Sequence, residues 1–144
     1  MILISHRGNL NGKNTSKENH PDYVDLAISA GFDVEIDLWF DGDQIFLGHD
    51  SPEIEIDRSW LNERVEKLWI HAKNTRALEF LSKTDLHYFV HDLDFAAITS
   101  KGYIWVFPGK QPIEKSIAVL PELYDDPISQ CSGVCSDYIT NYKL

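Results

Sequence analysis

Cysteine is nearly absent from this chain. Cys131 and Cys135 stand four positions apart with no second Cys or His pair at ligand spacing, so they do not make a zinc site and read as buried or idle thiols in a reducing compartment. Long apolar runs are missing too: no window approaches the ~20 apolar residues that a membrane-spanning helix requires, which argues against membrane insertion. Positive charge is scarce. A formal net charge of -10 and a pI near 4.9 oppose nucleic-acid wrapping and adhesion to anionic membrane, so any phosphate must be met locally by a metal or a few cations. Met1 to Ser5 run into a strand-like segment with no cationic region or small-residue cleavage site, and the expected location is cytoplasmic. Internal repeats and low-complexity segments are also lacking. What is present is 144 residues, 43% hydrophobic and 12% aromatic, enough for one packed domain over 1–144.

The chain is organised around Phe32 to Asp50, FDVEIDLWFDGDQIFLGHD. Residues two apart on a strand leave the same face, so Glu35 and Asp37 point one way while Val34, Ile36 and Leu38 point the other. Asp41-Gly42 is a hairpin signal that returns Ile45 to Leu47 antiparallel and brings His49 to about the level of Glu35. Ahead of it, Ile2 to Arg7 reads as a strand ending in His6-Arg7-Gly8, and Pro21 opens a helix that Gly31 ends, giving a βαβ unit. Beyond it, Ser59 is expected to cap a short helix through Lys67. Leu68 to Lys73 puts His71 and Lys73 on one strand face, and Asn74 can cap the next helix. Short β-rich runs follow at His87–His91, Ala96–Thr99, Tyr103–Phe107, Ser116–Leu120 and Gly133–Asp137, separated by segments such as PGKQP that are too short or too broken for full helices.

Several motifs resemble one family. HRG at 6 to 8, EN at 18 and 19, a helix ending in AGFD, EID at 35 to 37, DG at 41 and 42 and HD at 49 and 50 resemble the glycerophosphodiester phosphodiesterases. These belong to the wider phosphatidylinositol-phospholipase-C-like phosphodiesterases, with a TIM-barrel fold and a divalent metal. LWIHAK at 68 to 73 lies where the family has a strand carrying a Glu two residues before a Lys, and GVCSDY at 133 to 138 resembles its last strand. The implied fold is α/β, a compact TIM (β/α)8-type barrel. At 144 residues, against about 250 for a typical barrel, several outer helices must be reduced to loops. Strands stripped of helices would leave apolar outer faces, and a homo-oligomer is expected to cover them.

Hydrolysis of a phosphodiester needs charge neutralisation on the phosphoryl oxygens, a base for the nucleophile and an acid for the leaving alkoxide. Glu35 and Asp37 supply hard oxygens suited to magnesium or calcium, and Arg7 and Lys73 suit phosphate binding. By analogy with the family, His6 and His49 form the acid and base pair, with neither role assigned. His71 occupies the place of the family's third carboxylate ligand. An imidazole there brings manganese or zinc into range, weakens a magnesium site, or marks a site that has lost catalysis. Glu18 and Asn19 are expected to fix the loop above the first strand, and His20 to cap the first helix. His87 and His91 are expected at core or rim, Asp92 as a spare ligand, and Trp39, Trp69 and Trp105 in packing. The expected function is a metal-dependent hydrolase of a glycerophosphodiester or similar small phosphodiester. The alternative is a catalytically weak or inactive barrel that binds a phosphorylated small molecule or serves as an assembly subunit.

Overall fold

Strand β2 (Asp33–Asp41) is the hub of the molecule, seen in a computed structural model that describes residues 1–144. Along one edge its first residues pair in parallel with β1 (Ile2–His6), His6 level with Glu35. Its last residues pair antiparallel with β3 (Gln44–Leu47), which carries β4 (Ile54–Ile56). Along the other edge it pairs in parallel with β5 (Leu68–Ala72), Asp37 level with His71. β5 carries the short β6 (Tyr88–Phe89). On the far side of β1 the sheet continues in parallel through β10 (Gly133–Ser136), β9 (Ser116–Val119) and β8 (Ile104–Val106), and ends in β7 (Ala96–Ile98), antiparallel to β8.

The expected TIM-type barrel is therefore incorrect. The sheet is a ten-stranded mixed half-barrel, not eight βα units. Only three α-helices occur: α1 (Pro21–Ser29), α2 (Arg58–Asn62) and α3 (Thr75–Leu81), all before β6. The physical reason lies in the connections. Thr99 to Tyr103 is a turn too short for a crossover, so β7 and β8 pair antiparallel. Later connections carry Pro and Gly where a helix would need hydrogen-bonded interior residues. No helix is long and apolar enough to cross a membrane.

The period-two pattern of β2 and β5 sorts their side chains as expected. Val34, Ile36, Leu38, Leu68 and Ile70 face outward and are buried against Val24 and Ala27 of α1 and Ala77, Phe80 and Leu81 of α3. The concave side holds a second cluster, Ile4, Trp69, Phe89, Trp105, Ile117, Val119 and Cys135. Phe89 and Trp105 meet across it with ring centroids 4.5 Å apart.

The bare outer faces expected on helix-poor strands are found at one place only. On β8 to β10 the outward Val106, Ser116, Ala118 and Val134 are fully buried. Loops do this: Gln111 and Ile113 bond the Ser116 hydroxyl, and Ile128, Ile139 and Tyr142 pack around Val134. Beside β6 and β7, by contrast, Val90 and Ile98 remain exposed. Two local expectations also shift. Asp57, not Ser59, caps α2 by accepting from the Trp60 N–H at 2.9 Å, and the helix ends at Asn62. The hairpin turn is Gly42-Asp43, both at positive φ, one residue later than Asp41-Gly42.

Candidate active site

The chemistry-bearing residues gather where β1, β5 and β10 end, beside the first half of β2. His6 closes β1, and the chain then turns sharply through Arg7 and Gly8, both at positive φ. Gly8 is required there because an added Cβ would lie 2.6 Å from the Tyr23 ring. The turn directs Arg7 back over β2, where its Nε lies 3.0 Å from Asp37 Oδ2 and its Nη1 donates to Glu18 Oε1 at 3.3 Å. Asn19 clasps Asp37 twice, donating from Nδ2 to Oδ2 and accepting the Asp37 backbone N–H, both at 2.9 Å. Glu18 and Asn19 thus fix the loop over the first strand, as expected, and through it orient Arg7 and Asp37.

Glu35 and Asp37 are 3% and 0% exposed. Burial pushes the Glu35 carboxyl well above its ordinary range, and the neighbouring Asp37 charge adds to the shift. Asp37 goes the other way. Burial opposes its ionisation, but His49, His71, the Arg7 charge and Asn19 outweigh it and hold the carboxyl well below the usual range. The two neighbouring carboxyls are thus pushed in opposite directions, Glu35 up and Asp37 down.

His71 approaches from β5 with Nδ1 3.3 Å from Asp37 Oδ1, while its Nε2 is 3.0 Å from the His91 carbonyl oxygen. A carbonyl only accepts, so Nε2 donates to it, and Nδ1 faces the Asp37 carboxylate oxygen. Glu35 Oε2 and Asp37 Oδ1 are both buried without a hydrogen-bond partner. One donor atom each from Glu35, Asp37 and His71 lies within 4.8 Å of the others. Buried lone pairs facing one another are unfavourable unless a proton or a cation lies among them. An imidazole whose second nitrogen donates to a backbone carbonyl is the usual support of a metal-binding histidine. The residues fit a divalent ion, and Glu35, Asp37 and His71 form a cluster that could hold one.

No protein-family model, curated protein or solved structure matches this chain. Its resemblance to the glycerophosphodiester phosphodiesterases stays a likeness of motifs, and the site is read from its own geometry.

His6 is held by a partner absent from the expected set. Its Nδ1 lies 2.7 Å from Asp137 Oδ1, just beyond β10. Asp137 remains a carboxylate: burial opposes this, and the His6 hydrogen bond and charge prevail. His6 Nδ1 therefore donates, and Nε2 faces the cleft, 3.8 Å from Glu35 Oε2. Asn9 ties this pair to the loop, donating to Asp137 Oδ1 and Glu18 Oε2 at 2.8 Å each. Sequence reasoning missed Asp137 and Asn9, although an acid at the C-terminal end of a strand in the GVCSDY segment was a usable signal.

The remaining candidates hold different positions. His49 is close to Asp37 rather than level with Glu35: the β2–β3 register extends to place it opposite Ile36, with Nδ1 3.7 Å from Asp37 Oδ2. Its side chain is 45% exposed at the cleft mouth. The Trp39 indole donates to the Gly48 carbonyl at 2.7 Å and anchors that turn, so Trp39 has a positioning role beyond packing. Lys73 Nζ reaches within 4.0 Å of Asp37 Oδ1. His20 precedes α1 but makes no side-chain cap. His87 is buried and bonded to Thr99, and Trp69 and Trp105 are core. Six of the seven site candidates, His6, Arg7, Glu35, His49, His71 and Lys73, line one cleft of about 280 Å³, and His91 and Asp92 also line it. Asp37 lies buried within reach of four of them.

Proposed function

We propose that this chain is a metal-dependent phosphodiester hydrolase acting on a glycerophosphodiester or similar small phosphodiester. The observation that carries the proposal is the pair of orphaned carboxylate oxygens of Glu35 and Asp37 gathered with the His71 ring nitrogen within 4.8 Å of one another, with His6 Nε2 3.8 Å from Glu35 Oε2. Glu35, Asp37 and His71 would hold the ion. Two carboxylates and one imidazole suit manganese or zinc as well as magnesium. When bound, the ion supplies positive charge to the phosphoryl oxygens and lowers the cost of the charge that develops on them.

The protein's own groups do the rest. Arg7 is fixed by Glu18 and Asp37 and, with Lys73, offers cationic N–H donors at the cleft surface for the non-bridging oxygens. His6 has its tautomer set by Asp137, so its Nε2 accepts the proton of the attacking hydroxyl as the new P–O bond forms. His49, at the exposed mouth, gives a proton to the departing alkoxide as the second P–O bond breaks. A hydroxyl adjacent to the ester on a glycerol substrate can be the attacking group, and such a route releases a cyclic phosphate.

The test is turnover of bis(4-nitrophenyl) phosphate across magnesium, calcium, manganese and zinc, with and without chelator. Metal-dependent hydrolysis that His6→Ala lowers by about 10² to 10⁴ supports the assignment. A protein that turns over no phosphodiester under any metal but binds a phosphorylated small molecule tightly is a binding protein instead.

A further inference from the structure

The cleft has a second wall that the phosphoryl chemistry leaves unused. Besides His6, Arg7, Glu35 and Lys73, the cleft is lined by Phe89, Trp105, Phe107, Pro108, Val119 and Leu120. These come from the ends of β6, β8 and β9 and the turns after them. Their rings interlock: Phe89 lies 4.5 Å from Trp105, and the His71 ring stacks on Phe89 at 5.1 Å. The wall is thus rigidly joined to the ion-holding residues.

Two polar side chains interrupt this side. Asp92 is exposed at the rim. The His91 ring packs edge-on against Phe107 at 3.9 Å, and both its nitrogens are buried without a hydrogen-bond partner. Buried imidazole nitrogens without partners are unfavourable, and a ligand atom in the cleft is a ready partner for one of them. A polyol lying along this wall would lose water from several hydroxyls and find His91 as its one buried partner. A flat apolar group would lose little and gain contact with the rings.

We infer that the second wall receives an apolar, ring-like ester group of the phosphodiester, carrying at most one hydrogen-bonding atom for His91. The substrate class is then a mixed diester whose polar alcohol and phosphoryl group lie toward His6 and Arg7, and whose apolar alcohol lies on Phe107 and Trp105. At about 280 Å³ the cleft accommodates a phosphate and one ring, and not a long acyl chain. This inference rests on the proposed phosphodiester site, and its test separates the two.

The test is calorimetric binding of three ligands to the manganese-loaded protein: inorganic phosphate as the reference, and the monoesters phenyl phosphate and glycerol 3-phosphate. Phenyl phosphate is expected to bind about tenfold more tightly than glycerol 3-phosphate. Phe107→Ser should collapse the ratio of phenyl phosphate to inorganic phosphate affinity toward one. His91→Phe should remove any preference for 4-hydroxyphenyl over phenyl phosphate. Because each comparison is a ratio to phosphate on the same protein, retained phosphate binding reports that the variant is folded. Equal or tighter binding of glycerol 3-phosphate, or a Phe107→Ser ratio unchanged from the parent, overturns the inference and leaves the phosphodiester site standing. Failure of all three ligands to bind overturns both.

Discussion

Strands β1, β2 and β5 present His6, Glu35, Asp37 and His71 on their inward face, and β2 and β5 face outward onto helices; strands β8, β9 and β10 present Trp105, Ile117, Val119 and Cys135 inward and face outward onto loops. The difference follows from what each side must hold. Buried carboxylates repel one another and shed water at a cost, so they persist only where the backbone beneath them cannot relax. Helix-backed β2 supplies that rigidity, and Asn19, Arg7 and Asn74 pin it further: Asn74 caps α3 at Ala77 and also bonds both backbone groups of Phe40. An apolar wall makes no such demand, and loops suffice to cover it.

The largest effects should fall on the helix-backed side. Asp37→Ala removes the buried carboxylate beside Arg7 Nε and leaves Glu18 as the guanidinium's remaining ion-pair partner, and urea unfolding should show a loss of about 3 kcal/mol. Glu35→Gln sharpens the point within the same strand. It removes the charge whose burial is most opposed, so in chelator the variant should equal or exceed the parent in stability. It should also lose the stabilisation that a divalent ion gives the parent.

A direct contrast of the two coverings comes next. Ile36→Ala, beneath the helices, should cost about 3 kcal/mol, whereas Ile128→Ala, in a loop over Val134, should cost about 1 kcal/mol. Equal costs in matched unfolding curves would mean that the loops pack as tightly as the helices.

His87 tests the apolar side through pH. Burial, with the nearby Lys101 charge, lowers its pKa from about 6.5 to about 4. The unfolded chain therefore takes up the proton first. Its contribution is whole above about pH 6.5, is lost as pH falls from there toward about 4, and reaches at most about 3 kcal/mol. The difference between parent and His87→Gln stability curves should change across that window and be flat above it.

The smallest effect concerns self-association. Val90 and Ile98 are exposed where no helix or loop covers β6 and β7. Asp92 and Asp94 precede β7 and Lys101 follows it, so exposed acids and an exposed lysine flank the strand at its two ends. A second copy turned about a two-fold axis would set acids against lysine while joining the apolar residues. We propose this patch as the contact of a weak dimer. Sedimentation equilibrium should detect it at high micromolar concentration, and Ile98→Lys should abolish it. A parent that stays monomeric there contradicts it.

Much of the polar side was legible in the sequence because its signals are local. Alternation places Glu35 and Asp37 on one face, Gly8 marks the turn that follows His6, and Asn74 precedes an apolar helical stripe. What was not legible depends on distant pairing. The bond between His6 and Asp137 spans nearly the whole chain and needs β1 and β10 to lie side by side in parallel. The barrel expectation failed at β7, where a short β-rich run carries no mark of its direction and a tight turn reversed it. The position of His49 shifted because the turn began one residue later than Asp-Gly suggests, and in a hairpin that moves the register by two residues.

The central claim is that Glu35, Asp37 and His71 hold one divalent ion, and calorimetric titration of chelator-stripped protein with manganese tests it most directly. The account predicts one ion per chain, uptake accompanied by proton release from Glu35, and a loss of at least tenfold in affinity in each of Glu35→Gln, Asp37→Asn and His71→Ala. Absence of saturable binding, or binding that survives all three substitutions unchanged, would contradict it.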